Sequence, residues 1–360
     1  MASPNVQKWM AKMQKMENVV KNDYNPFAHI VESRSPSLNF TFGRTHGLPA
    51  GYTLLMYGPS KSGKSLVIND MIGYQHQLDD DAIAIKFDTE VRSELQTPTE
   101  ADEGNNIFGI DPKRVITFKT NHPKDIFDFI ERDVPAMCQE GVPVKIIAID
   151  SINGIQGRRG TGNDSIMDMT IGDQALTLQE GFKRILPVQR KYNIAMICSA
   201  QVRAEMDPQA ARYSKYRMGA ANATMHYAEY HALVEKVNSK ESKSDDLGNV
   251  MEDEPRKDMS GHTQSTGHRI RFTMKGNSAD GGCIGRTAEF TIDYKKGMSF
   301  KEQEVFALGI AQGVIAKPTL QSYSFKDKSW RGYSAALEAI KNDNALYNEI
   351  LKEIKAKDYP

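Results

Sequence analysis

The stretch TLLMYGPSKSGKSLVIND, residues Thr53 to Asp70, decides how the chain folds. Thr53 to Tyr57 is a short apolar run, the pattern of a buried strand, and Leu66 to Ile72 carries the spacing of a helix's first turns. Between them Gly58-Pro59-Ser60-Lys61-Ser62-Gly63-Lys64-Ser65 satisfies G-x-x-x-x-G-K-[ST] at every fixed position. The two glycines let the backbone curl tightly enough for successive N–H groups to face phosphate oxygens. The helix that follows adds the positive end of its dipole. Lys64 is placed to reach the β and γ phosphates, and the Ser65 hydroxyl to ligate Mg²⁺. The competing reading is a Gly/Ser-rich loop that fits the pattern by chance. A strand before it and a helix after it weigh against that, so the expectation is an ATP or GTP site.

Working outward, strand–helix alternation continues. Ala82 to Phe87 reads as a second buried strand running into Asp88-Thr89-Glu90, Arg114 to Phe118 as a third, and Asp125 to Cys138 as a helix. Val144 to Ile149 is a fourth strand ending in Asp150-Ser151. Gln174 to Tyr192 is helical, and Ile194 to Cys198 is a fifth strand ending in Ser199-Ala200-Gln201. This alternation implies an α/β fold with a mostly parallel central sheet, helices on both faces, and ligands at the carboxyl ends of the strands. Asp150 suits a carboxylate holding the Mg²⁺ water shell. Glu90 suits the base that deprotonates an attacking water. Gln201 offers an amide able to sense a γ-phosphate at the root of a long loop. For each, the plainer reading is a polar residue closing a strand at the surface.

The 360 residues allow one large domain with a smaller appendage. The 46 basic residues balance the 46 acidic ones, so binding a polyanion requires a local basic patch. Cys138, Cys198 and Cys283 lack metal-ligand spacing, which suits reduced thiols. With no apolar run of membrane-spanning length and no signal-peptide core, a soluble cytoplasmic protein is expected. Residues 1–32 read as an arm: Val6, Trp9, Met10, Met13 and Met16 recur at helical spacing, for packing on the same subunit or docking on a neighbour, and Phe27 to Val31 as a strand. Residues 33–300 read as the core and 301–360 as a small lobe.

Two segments read as loops for nucleic acid. Gly157 to Gly172 carries Arg158 and Arg159 among glycines. Val202 to Asn222 carries Arg203, Arg212, Lys215 and Arg217 interleaved with Tyr213 and Tyr216. Cations with aromatics on loops suit phosphate neutralisation and base stacking on a single strand; solvated surface loops are the alternative. Tyr227 to Val237 reads as a strand, Asn238 to Gly267 as a polar excursion, and Arg269 to Lys275 and Thr287 to Tyr294 as antiparallel strands. Gln303 to Ala311 and Asn344 to Ile354 read as helices.

Gly47-Leu48-Pro49, the phosphate loop, Phe87-Asp88-Thr89-Glu90, Ile149-Asp150-Ser151 and Ala200-Gln201 come in an order and spacing that resembles the RecA family. Phe108-Gly109-Ile110-Asp111-Pro112-Lys113-Arg114-Val115-Ile116 is similar to the matching stretch of UvsX-type phage recombinases, and the likeness resumes at 269–294 and 313–354. The resemblance implies an ATP- and Mg²⁺-dependent recombinase with a RecA-like P-loop core. It would polymerise on single-stranded DNA, pair it with duplex DNA, and work beside single-strand-binding and loading proteins. It implies a cross-subunit catalytic cation at Lys275; the family's second cation falls near Gly276 or Asn277, with Arg271 and Arg286 as substitutes. The family's adenine-contacting tyrosine has no counterpart in Val91 to Gln96, Gly-Gly becomes Gly219-Ala220, and the closing residues lack the acidic tail of bacterial members. A hexameric helicase of related fold, or an ATPase module without DNA, are the other classes; filaments, closed rings or no DNA-dependent assembly distinguish the three.

Overall fold

A computed structural model describes residues 29–90, 106–157, 172–237 apart from 208, 210, 211, 213, 214, 218 and 220, and 267–358 apart from 280 and 299. It also describes residues 8, 12, 13 and 15 and the pairs 256–257 and 263–264. Of the expected N-terminal stripe, Met13 is helical and half-exposed; Val6, Trp9, Met10 and Met16 lie outside the described residues. Of the expected strand at Phe27 to Val31, Ile30–Val31 forms β1, and Phe27 and Ala28 lie outside the described residues. A short helix α1 (Pro36–Phe40) follows, capped by the Ser35 side chain accepting from the Leu38 N–H. β2 (Leu48–Pro49) then pairs antiparallel with β1.

The alternation read from the sequence builds the centre. In order come β3 (Thr53–Gly58), α2 (Lys64–Leu78), β4 (Ile83–Asp88) and β5 (Val115–Lys119). The next helical stretch runs α3 (Pro123–Asp128), a π turn (Phe129–Asp133) and α4 (Val134–Gln139). Then come β6 (Val144–Asp150), α5 (Asp173–Lys191), β7 (Ala195–Gln201), a small ribbon of β8 (Arg203–Ala204) and β9 (Tyr216–Arg217), α6 (Ala221–Met225) and β10 (Tyr230–Lys236). Within the polar excursion, β11 (Arg256–Lys257) pairs with β12 (Thr263–Gln264). β13 (Gly267–Asn277) and β14 (Thr287–Asp293) complete the set.

The main sheet has eight strands in the order β14-β13-β10-β3-β7-β6-β4-β5. Neighbours are parallel from β10 through β5, and β13 and β14 add antiparallel pairs. Side chains alternate across the sheet, so β3 sends Leu54 and Met56 into a core with Val67, Met71, Phe42 and Phe272. Leu55 and Tyr57 enter the opposite core with Phe87, Phe127, Phe182 and Ile185. A sheet covered on both faces explains the near-continuous apolar runs. Lys86 on β4 interrupts that pattern: it is 1% exposed and donates to Asn69 Oδ1 at 2.9 Å.

Beyond the sheet, α7 (Lys301–Ala311), α8 (Tyr333–Asn342) and α9 (Asn344–Asp358) pack with the antiparallel β15 (Ala316–Thr319), β16 (Ser322–Phe325) and β17 (Lys328–Arg331) around a separate core that includes Phe306, Tyr323, Ile340 and Ile350. The lobe is the small α/β unit expected after residue 300, although neither the individual strands of its sheet nor α8 was read from the sequence. This lobe meets residues 32–40 through polar bonds. Ser35 Oγ donates to Glu304 Oε2 at 2.5 Å and the Ser37 N–H donates to it at 3.0 Å. Next to it Ser33 Oγ and the Arg34 N–H donate to Asp70 Oδ2 at 2.6 and 3.0 Å. Arg286 grips Asp358 with both nitrogens at 2.7 and 2.8 Å.

Burial pushes the Glu304 carboxyl up to about 7, against the bonds from Ser35 and Ser37 that favour its ionised form. Between the ordinary 4.5 and about 7 the folded chain therefore holds a proton that the unfolded chain has released. Stability from this group is complete below pH 4.5 and is lost as pH rises through 7, a change of about 3 kcal/mol. Glu304→Gln keeps an acceptor for Ser35 and Ser37 without a charge. Urea midpoints measured across this window should fall less steeply with pH in the variant; parallel pH profiles would rule out Glu304 as the titrating group.

Candidate nucleotide site and its adjoining loops

Strand register assembles the site. Gly58 on β3 is level with Gln201 on β7, and Asp88 on β4 is level with Asp150 on β6. Gly58 has no alternative: a Cβ there would lie 2.0 Å from the Val234 carbonyl oxygen on β10. Gly63 takes a left-handed φ of 98° where the loop turns into α2. Lys64 is the first residue of that helix, and its ammonium folds back on the loop, donating to the Gly58 and Pro59 carbonyls at 3.0 and 2.8 Å and to Ser62 Oγ at 3.3 Å. Burial draws its pKa down to about 8, against the pull of Asp150 and Glu90.

A cleft of about 630 Å³ opens over the loop. Ser60, Lys61, Ser62, Gly63, Lys64 and Ser65 line one side, and Asp88, Glu90, Asp150, Ser151, Ser199 and Gln201 the other. The structure thus brings together the phosphate-loop residues with Glu90, Asp150 and Gln201. Glu90 Oε1 accepts from Ser151 Oγ at 2.9 Å and from Gln201 Nε2 at 2.5 Å. Asp150 Oδ1 accepts from Ser199 Oγ at 2.5 Å. Beneath them the Lys86 ammonium feels both Asp150 and Asp88, while burial lowers its pKa.

Four further lining or supporting residues were not read from the sequence. Lys236, at the end of β10, and Tyr294, just past β14 and 46% exposed, both line the cleft. Asn153 sits in a turn after β6 and clamps the Gln201 main chain: its Oδ1 accepts from the Gln201 N–H at 2.7 Å and its Nδ2 donates to the Gln201 carbonyl at 3.2 Å. Gln174 Nε2, at the start of α5, donates to the Asn153 and Ile155 carbonyls at 2.9 and 2.7 Å. No spacing rule announces these residues; each comes from a strand end, a turn or a helix start that tertiary folding carries to the site.

Lys275 lies exposed on β13 and is absent from the cleft lining. Its substitutes are engaged within the chain, Arg271 with Glu289 at 2.6 Å and Arg286 with Asp358. Of the loop residues, Arg158, Arg159 and Tyr213 fall outside the described residues. Arg203, Arg212, Lys215 and Arg217 are exposed and Tyr216 is half-buried. Arg203 pairs with Arg217 and Ala204 with Tyr216 across the β8–β9 ribbon, which leaves the sheet directly after Gln201.

No family model matches the chain. It is similar to Protein RecA of Campylobacter fetus subsp. fetus, with 21% identity over 326 residues, 91% of this chain and 83% of that protein. It is 22% identical to Protein RecA of Herpetosiphon aurantiacus over 310 residues, 86% of this chain and 76% of that one. Protein RecA of Helicobacter acinonychis gives 21% over 310 residues, 86% and 78%. These matches support a RecA-family relationship. The mixed sheet and its helices form a RecA-like core with a small antiparallel sheet in the C-terminal part. Among the described residues, no helix is long and apolar enough to cross a membrane.

Lys64→Ala should remove detectable binding of a nucleoside triphosphate in a direct titration, because the loop loses the ammonium closest to its carbonyl turn. Parent-like affinity would break the link between this cleft and phosphate.

Proposed function

We propose that this protein is an ATP-dependent recombinase of the UvsX-like kind, which forms helical filaments on single-stranded DNA and pairs it with a homologous duplex. The observation carrying this reading is the position of Gln201. Its side chain meets Glu90 over the phosphate loop, and its main chain runs straight into the basic ribbon. The cleft fits ATP with Mg²⁺ on its donor set: a tight glycine turn, the Lys64 ammonium, the Ser65 hydroxyl and the Asp150 carboxylate. Mg²⁺ is ordinarily held by one or two side chains together with substrate phosphates and water, and Ser65 and Asp150 would supply those side chains. Bound ATP supplies a phosphoanhydride whose hydrolysis drives the cycle.

The chain's own residues do the rest. Lys64 exchanges the Gly58 and Pro59 carbonyls for phosphate. Glu90 accepts the proton of the attacking water on its carboxylate, oriented by Ser151 and Gln201. Gln201 donates to Glu90 in the free chain and would donate instead to the terminal phosphate of bound ATP, while Asn153 holds its main chain at the root of the ribbon. Nucleotide state thereby reaches both loops. Tyr294 offers its exposed ring to the nucleotide, and Lys275 reaches a neighbouring subunit's site. Residues 1–32 serve as the oligomerisation arm, 33–300 as the ATPase core and 301–360 as a lobe.

Glu90→Gln should retain ATP and DNA binding and slow hydrolysis by about two orders of magnitude, the usual range for a lost general base. Parent-rate hydrolysis would transfer the role to another carboxylate, with Asp88 first in line. Replacing Arg212, Lys215 and Arg217 by Ala should flatten the salt dependence of single-strand binding, by about 0.7 in log–log slope for each cation–phosphate pair removed. An ATP analogue should tighten DNA binding relative to ADP by about 1–3 kcal/mol. A parent-like slope in the triple variant would remove the second loop from the DNA site. Electron microscopy with single-stranded DNA and an ATP analogue tests the whole reading: continuous filaments support it, and closed rings or no assembly overturn it.

A further inference from the structure

The second loop's cations are not simply presented to solvent. Lys215 Nζ lies 2.7 Å from Glu235 Oε1, and the Tyr216 hydroxyl donates to the same oxygen at 2.7 Å. Arg217 Nε lies 3.7 Å from Glu205 Oε2. Three of the side chains read as DNA contacts are thus turned onto carboxylates of their own chain. The Lys215 end of each bond is open to water while the Glu235 end is mostly covered, 72% against 19% exposed. The acid is the fixed partner and the lysine the mobile one.

Both carboxylates also keep company if the cations leave. Glu235 on β10 stands opposite Arg271 on β13, which in turn stands opposite Glu289 on β14. Glu205 Oε1 accepts the N–H groups of Met206 and Asp207 at 2.9 and 3.1 Å. Breaking one partner from a buried ion pair is ordinarily costly because the other is stranded. Here neither acid is stranded, so exchange of the cation toward another anion meets a low barrier. Burial raises the Glu235 carboxyl, yet the bonds from Lys215 and Tyr216 outweigh it and hold the group ionised.

We propose that Glu235, seconded by Glu205, is a built-in competitor for DNA phosphate: the two acids hold Lys215 and Arg217 of the second loop in the free protein and give them up when a single strand binds. The proposal rests on the reading of this loop as a DNA site. It explains how a chain of zero net charge carries an exposed basic ribbon without attracting every polyanion it meets. Each phosphate contact made by Lys215 replaces an internal ion pair, so intrinsic affinity is a difference between two similar terms. Only a strand that also gains stacking or contacts elsewhere wins the exchange.

The test is a double-mutant cycle on the full chain, titrating a labelled oligothymidylate at low salt. Glu235→Gln, which keeps the shape and removes the charge, should tighten binding about two- to five-fold, the range of an exposed ion pair. In a Lys215→Ala background the same change should have little effect, because its partner is gone. Glu205→Gln with Arg217→Ala gives the matching second cycle. Equal tightening in both backgrounds would reduce the effect to net charge and overturn the proposal. So would no tightening from Glu235→Gln where Lys215→Ala still weakens binding; that result leaves the DNA reading standing. If Lys215→Ala and Arg217→Ala both bind as the parent does, the DNA reading of the loop fails, and this proposal with it.

Discussion

Backbone register in the parallel half of the sheet governs everything at the cleft. Gly58 and Gln201 are level because β3 and β7 pair in phase, and Asp88 and Asp150 are level because β4 and β6 do. A slip of one residue in any of these pairs would turn the polar end groups into the opposite layer and bury them among apolar side chains. The two apolar cores hold that phase, since each strand has residues committed to both faces. The carbonyl of Val234 adds a local constraint, coming so near Gly58 that only glycine fits. Packing far from the nucleotide edge therefore sets the distances at it.

The strand and helix alternation was readable because strands covered on both faces need long apolar runs, and those runs end abruptly in charged residues. Glu90, Asp150 and Gln201 were legible for the same reason, each closing such a run. Lys86 was not, because a lysine inside an apolar strand looks like an interruption; its one bond to Asn69 is made only when α2 packs over β4. The three-stranded sheet at Ala316 to Arg331 escaped because its outer strands are largely exposed and show no burial alternation. Lys236, Tyr294 and Asn153 escaped for a third reason. They act where separate chain segments converge, and nothing local marks that meeting.

The lobe and the core are joined by acids that sit out of water. Glu304 and Asp70 are both buried, and burial raises the pKa of each. They are satisfied by the short segment Ser33 to Ser37, which also starts the path toward the phosphate loop. The segment thus serves as a polar hinge plate between two apolar bodies. Exchanging Ser33 or Ser35 for a larger apolar residue would take one side-chain donor from Asp70 or from Glu304.

The resting position of Lys64 has a consequence for selectivity. Its ammonium is already bonded to two carbonyls and a hydroxyl of its own loop. An incoming ligand gains nothing merely by offering another neutral oxygen, because it replaces like with like. It gains when the oxygen it offers is anionic, since two opposite charges attract one another beyond what the ammonium gains from a neutral carbonyl. The loop thereby ranks ligands by charge rather than by number of contacts. On that physics a sugar or a neutral amide would gain little at this loop, and an anionic ligand would gain more.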